Sequence, residues 1–577
     1  MIEPALASRA RAAGIEMSHR DGFGIEHALD EQTCRALLGA IDAVPDHARA
    51  WVSPALEAGA RLWGVSVQLW SVRSARNWGI GDFSDLARLC AIVAAAGGAF
   101  VGINPLHARV LTPEVEPSPY APSARQFLDP LSIDVEAIEG FASCEALRVL
   151  TADSQFQQRI ERVRSAARVD YAEVASLKLT ALALLYEAFC RSVTSCARFH
   201  EAAAFHQFTR DMGPSLQRFA QAEALRGAHA SVAALAQAGF HAWMQWHAHH
   251  QLQRAAHAAL AAGMPIGLYR DLAVGAREDG AERDIEPGLC ARGVHVGAPP
   301  DAFNRLGQNW GLSPWNPQEL ARRSYGPFRE LVRANMQYAG ALRIDHVMSL
   351  MRLYWIPVGR EARDGGYVRQ HFEALAAIVS AESRRNRCMV IGEDLGAVPE
   401  GFRERLERMR WLSSRVLFFE RDWQGDRAWL PPAAYPVVAL SSVGTHDLPG
   451  ISDWWRGGDI RRRAALGLVA DLTAAEAERV ADRIGIVRLI DALALPGGAG
   501  DGEQSVIDGL HRTIAATPSW MVAVQLDDVL EETEPVNVPG TGREQANWTR
   551  RLSLPLEALA DDPRFRRLAR IMSARAA

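Results

Sequence analysis

Eight short apolar runs, several carrying polar or ionisable residues towards their C-terminal ends and separated by longer stretches, constrain this chain more than any other feature. They are 63–73, 99–107, 265–274, 341–350, 388–395, 415–421, 437–447 and 521–530. Near-continuous apolar runs of this length read as strands buried on both faces. Eight of them alternating with helical stretches predict an α/β chain folded as a closed (β/α)8 barrel. In such a barrel the active site lies at the C-terminal ends of the strands. Here those ends carry His107, Asp271, Asp345, Glu393 and Asp447, so several carboxylates are expected to share one mouth.

The spacing of the runs is uneven. A short helical segment is expected over 1–60, and the barrel over 61–577. Three insertions are expected within it: a helical one at about 131–260, a loop-rich one at 275–340 that shapes the substrate site, and a helical one at 451–515. The helical spacing is plainest at 172–191 and 216–262.

Composition removes whole classes of function. With 48% hydrophobic and 23% charged residues among 577, the chain has enough apolar surface to offset chain entropy, which excludes wholesale disorder. A net charge of −5 lacks the basic excess that a nucleic-acid or anionic-membrane binder needs. Every basic residue except Lys178 is an arginine, and the arginines are scattered. No apolar run is long enough to span a membrane, and the N-terminus lacks a signal-peptide core. The 7 cysteines include no C-x-x-C pair. They fit a reducing cytosol rather than a disulfide frame or a zinc site. The expectation is a cytoplasmic protein without metal or cofactor.

Three carboxylates stand out: Asp345 in RIDH, Glu393 in GEDLG and Asp447 in THDLP. Any one of them alone is more simply a loop cap or an ion-pair partner. Together, on the fourth, fifth and seventh runs, they suit glycosidic-bond cleavage, which needs an ionised nucleophile and a protonated acid held about 5–5.5 Å apart in retaining enzymes. Arg343 lies two residues before Asp345, hence on the same strand face, and is expected to hold Asp345 ionised. A less polar setting is expected to keep Glu393 protonated. Asp447, with His446 beside it, is placed to bind sugar hydroxyls.

The chain also resembles the 4-alpha-glucanotransferases, or amylomaltases, of glycoside hydrolase family 77. The resemblance rests on 71–86 (SVRSARNWGIGDFSDL), 103–108, 118–125 (SPYAPSAR), 297–311 (GAPPDAFNRLGQNWG), 343–357, 391–399, THDLP (445–449) and NVPGT (537–541). It covers most of 60–555 and implies a (β/α)8 barrel with inserts. It further implies that Asp345 is the nucleophile, Glu393 the general acid/base and Asp447 the transition-state stabiliser. Arg343 and His446 match motif companions, and Tyr120, Asp271, Asp301, Gln308 and Trp310 match glucan-contacting positions. Phe303 is weighed equally as a sugar-stacking face and as a loop anchor. The partners implied are α-1,4-glucans, with glucan or glucose as acceptor. Ala302 and Gly450 depart from residues common in the family, which bears on acceptor preference and on the balance of transfer against hydrolysis. The β-rich module that follows the helical start in longer bacterial members is not evident.

Two readings compete with a glucan transferase: a hydrolase using the same three carboxylates, and a silent glucan-binding protein. The histidines of His247-Ala-His249-His250 are expected on a solvated helix face rather than around a metal, because no companion Cys or Asp is near. Glu531, Glu532 and Glu534 are expected in an exposed acidic turn.

Overall fold

The computed structural model describes residues 2–12, 15–20, 24–41, 48–111, 115–194, 199–229, 232–300, 306–423, 425–493, 502–542 and 544–575. Eight parallel strands close a barrel: β1 (Leu62–Val67), β2 (Phe100–Ile103), β3 (Gly267–Leu272), β4 (Ala341–Ile344), β5 (Met389–Gly392), β6 (Leu412–Val416), β7 (Ala439–Ser442) and β8 (Met521–Gln525). They pair in sequence order, β8 on β1 and β3 on β4, so the sheet has no edge.

Alternation along the strands sorts the core into layers. Phe100, Tyr269, Met389, Ile391, Leu412 and Met521 fill one cluster, joined from below by Val52 and Leu56. Residues of the opposite parity, such as Val65, Val101, Leu268 and Val522, pack with the surrounding helices. Room for the rings is made by glycine. A Cβ on Gly64 would stand 2.5 Å from the Phe100 ring, and one on Gly102 would stand 2.7 Å from the Tyr269 ring.

The helix Phe83–Ala95 shows how local sequence sets these layers. Its apolar residues Phe83, Leu86, Leu89, Cys90 and Val93 recur at helical spacing and are all buried. Asp82 and Asp85 form a reciprocal capping box at its start. Arg76 bridges Asp82, Asp85 and Asp134. The buried amine of Lys178 donates to the carbonyls of Leu131 and Ile133 nearby. The motif at 71–86 thus holds the β1–helix connection together through buried charge.

Several expectations are corrected. The sixth run, read at 415–421, is displaced: the strand is Leu412–Val416, and Leu417–Phe419 turn into a 3-10 helix. The 275–340 stretch is not mainly loop. Ala276–Arg277, Val294–Ala298 and Gln308–Ser313 join Arg352–Pro357 and Gly366–Arg369 in a five-stranded antiparallel sheet. Residues Ser18–Arg20 and Glu26–Ala28 pair antiparallel between two helices of the N-terminal segment. His247 and His249 are buried, not solvated. Their helix, Ala238–Ala261, packs against the helices Phe83–Ala95 and Phe199–Arg226, and Trp243 and Trp246 crowd His247. Burial lowers the pKa of both imidazoles to about 3. Glu532 is also enclosed, its carboxylate accepting from the Ser553 N–H and facing Arg550.

Among the described residues no helix is long and apolar enough to cross a membrane, and no group of His, Cys, Asp and Glu is arranged to hold a metal.

Candidate active site

The C-terminal ends of the barrel strands open into a cleft of about 630 Å³, open to solvent, lined among others by Gln68, Asn104, Tyr120, Asp271, Arg343, Glu393, Thr445 and His446. Its construction begins with strand register. Asp271 on β3 and Arg343 on β4 are direct partners in the parallel ladder. Arg343 Nη1 lies 2.9 and 2.8 Å from the two Asp271 oxygens and 2.9 Å from Asp345 Oδ1. Tyr120 donates its hydroxyl to Asp271 Oδ2 at 2.6 Å.

The ladder continues past the named strand ends. The Asp345 N–H bonds Leu272 O, and the Glu393 N–H bonds Ile344 O. His346 then adopts a left-handed backbone, φ 46°, a costly conformation for a residue with a Cβ. In this turn its N–H donates to Glu393 Oε2 at 2.8 Å, and the Leu395 N–H donates to Oε1 at 2.8 Å. Both oxygens of Glu393 are therefore oriented by backbone. Asp394, one residue on, is fully buried and accepts from Ser413 Oγ, the Ser414 N–H and Arg403, which ties the end of β5 to β6.

His446 and Asp447 come from the loop after β7. The His446 ring stacks on Tyr120 at 5.0 Å, and Trp548 packs against both rings at 5.5 Å. Asp447 Oδ2 lies 3.3 Å from His446 Nε2, and Asn537 donates to Oδ1 at 2.7 Å. Gln308 and Trp310 sit two apart on one strand. Trp310 Nε1 donates to Gln308 Oε1, and the Trp310 ring meets His346 edge-on at 5.6 Å. Asp301 and Phe303, with Ala302 between them, lie outside the described residues.

Electrostatics divide the carboxylates. Asp447 is held down at about 2: desolvation by the surrounding protein raises it, although its side chain is 46% accessible, but His446 and the Asn537 amide outweigh that. His446 is raised in turn, the Asp447 charge prevailing over burial. Glu393 is raised by burial, against the pull of Arg343 and its two N–H donors. Asp345 departs from expectation. Burial pushes it up to about 7, and the charges of Asp271, Glu393 and Asp447 add to the rise against Arg343. A single guanidinium divided between two carboxylates does not hold Asp345 in the ordinary carboxylate range.

Asn537 and Trp548 were not among the residues expected here. Asn537 lies in NVPGT, a motif quoted for resemblance alone, and only the fold shows that its amide reaches Asp447 from a loop 90 residues away. Trp548 has no motif to mark it.

A family model described as 4-alpha-glucanotransferase, that of glycoside hydrolase family 77, matches residues 67–237 and 229–555. The chain belongs to glycoside hydrolase family 77. Its relatives in that family include the 4-alpha-glucanotransferase of Haemophilus influenzae, 36% identical over 547 residues, or 88% of this chain and 77% of that protein. That of Mycobacterium bovis is 37% identical over 559 residues, or 90% and 75%. The crystal structure of amylomaltase from Corynebacterium glutamicum superposes with a TM-score of 0.83 at 32% identity, covering 91% of this chain and 77% of that one.

Proposed function

We propose that this family 77 enzyme, a 4-alpha-glucanotransferase, moves α-1,4-glucan segments from a donor glucan to an acceptor glucan or glucose by retaining double displacement. Asp345 attacks the anomeric carbon while Glu393 gives its proton to the departing glucan oxygen. A covalent glucosyl-enzyme forms on Asp345. Glu393 then takes the proton from an acceptor hydroxyl, which attacks the same carbon, and the bond to Asp345 breaks with net retention. Asp447, held ionised, accepts hydrogen bonds from sugar hydroxyls and opposes the positive charge that develops on the ring. Arg343, Asp271, Tyr120 and His446 wall the sugar bound at the point of cleavage. Gln308 and Trp310 border it through His346.

The observation that carries this reading is the geometry at the barrel mouth, where Arg343 joins Asp271 and Asp345, two backbone N–H groups fix both oxygens of Glu393, and His446 and Asn537 hold Asp447. Asp447 is stabilised as an anion, while Asp345 and Glu393 share a setting that retains protons. Two carboxyls that repel each other's charge release their protons in separate steps, which leaves a range in which one is ionised and the other protonated. That is the state a nucleophile and an acid require before the first step.

The test is incubation with maltotriose, resolving the products by chromatography for wild type and Asp345→Ala. Free glucose with a ladder of longer maltooligosaccharides, absent in the variant, is the expected result. Glucose and maltose alone would reassign the protein as a hydrolase. No turnover by wild type would leave glucan binding without chemistry.

A further inference from the structure

Trp423 is the most exposed tryptophan among the described residues, 57% accessible. It sits on the loop that follows β6, at the same end of the barrel as the cleft. That loop is a braced turn. Arg421 and Trp429 pair across it as an antiparallel bridge, and the Asp422 N–H bonds Ala428 O at 2.9 Å. The Arg421 guanidinium lies 3.6 Å from the centre of the Trp429 ring and bonds Asp482 at 2.7 Å. Trp423 Nε1 donates to Phe419 O at 3.0 Å. The indole thus has its one polar group satisfied by backbone, while more than half of the residue's surface remains exposed. Phe418, at the base of the loop, is hydrogen-bonded to Val443, three residues before His446, so the loop adjoins the segment that carries His446 and Asp447.

The chemistry assigns a side to this loop. Asp345 ends β4 and Glu393 ends β5. The bond that breaks lies between the carbon Asp345 attacks and the oxygen Glu393 protonates. The departing glucan, and later the acceptor, therefore extend from the Glu393 side, away from β4. The next strand in that direction is β6, and Trp423 is the exposed ring carried above it. A flat apolar face with its polar edge already paired suits the apolar face of a pyranose ring, which stacks on aromatic side chains.

Resting on the proposed transferase reading, we propose that Trp423 is a stacking platform for a glucose unit of the acceptor chain beyond the one that reacts, and so sets the preference for longer acceptors. Glucose is too short to reach it, whereas a maltooligosaccharide bound at the cleft lays its distal rings along the β6 loop.

The experiment measures transfer from one donor to glucose and to maltohexaose by wild type, Trp423→Ala and Trp423→Phe. The readout is the ratio of kcat/KM for the long acceptor to that for glucose, which does not depend on the fraction of folded enzyme. Trp423→Ala is expected to lower the ratio about 10-fold, and Trp423→Phe to restore most of it. An unchanged ratio overturns the proposal, whether or not both rates fall together, because a structural role would not discriminate acceptor length. Absence of transfer by wild type to either acceptor would instead overturn the transferase reading on which the proposal rests.

Discussion

Burial raises Asp345, and Arg343, with two carboxylates to serve through one Nη1, does not bring it back to the ordinary carboxylate range. Asp271 takes two of the three contacts, and its charge adds to the rise of Asp345. Asp271→Asn removes that charge while leaving an oxygen to accept from Tyr120 and Arg343. Asp345 is then expected to ionise at lower pH, because burial is opposed by a guanidinium with less to share. Since attack needs the ionised form, the acid limb of kcat/KM is expected to move down by about one pH unit, with a lower plateau from the weakened hold on sugar. A pH–rate series on maltotriose checks this. A limb that stays in place or moves up would mean that Asp345 is not the group titrating there. Most of this cluster was legible in the sequence, because Arg343-x-Asp345 and the ends of the third and fifth runs fix parity and strand end without knowledge of distances. The direction of the Asp345 shift was not legible, because it depends first on how deeply the fold buries the carboxyl and then on the charge of Asp271 beside the same cation.

Asp528, in the short helix Leu526–Val529 that follows β8, is buried, and the Ile451 N–H donates to it at 2.7 Å. It thereby anchors the start of the helix Ile451–Arg456, four residues after Asp447. Burial pushes its carboxyl up to about 7. A carboxyl raised on folding binds its proton more tightly in the folded chain than in the unfolded one. Its contribution is present at acid pH, below about 4, and is lost as pH rises through 7. Asp528→Asn keeps a carbonyl oxygen for Ile451 and cannot ionise. Its melting temperature relative to wild type is expected to rise progressively from pH 5 to pH 8, by several degrees at the upper end, and to be nearly level at pH 4. Thermal melts across that range decide it, and a uniform loss at every pH would show that the helix start needs the charge. Elements of this kind mark where sequence reading stopped. The start of β6 escaped an apolar criterion because Ser413 and Ser414 bond Asp394 there, so a strand beside the site is partly polar and its run was read too late. The antiparallel sheet beside the cleft escaped because its strands are short and contain glycine, and one pairing shifts register between Asn309 and Leu312.

Over the whole molecule, two kinds of packing meet in the first 60 residues. Leu6, Ala10, Ile15, Cys34 and Leu38 form a small cluster separate from the barrel cores. Val52 and Leu56 instead belong to the cluster inside the barrel, beside Phe100, Ile266, Met389 and Met521. Ala50 packs into a third cluster, with its N–H on Met409 O. These contacts tie residues 50–56 to the barrel, so a boundary before residue 50 is the one that truncation tests. Burying a Val or Leu side chain is worth about 1.5–3 kcal/mol, so losing both Val52 and Leu56 costs about 3–6 kcal/mol, comparable with the total stability of many domains. A chain beginning at residue 48 is expected to keep its maltotriose transfer rate within about twofold and its melting temperature within a few degrees. A chain beginning at residue 61 is expected to melt far lower or to aggregate, because the N-terminal end of the barrel is left unplugged over Phe100 and Met521. Melting curves and transfer rates of the two truncations, side by side with the full chain, distinguish the cases. If both shortened chains fail alike, the small N-terminal cluster braces the barrel, and its five buried side chains count for more than their separate packing indicates.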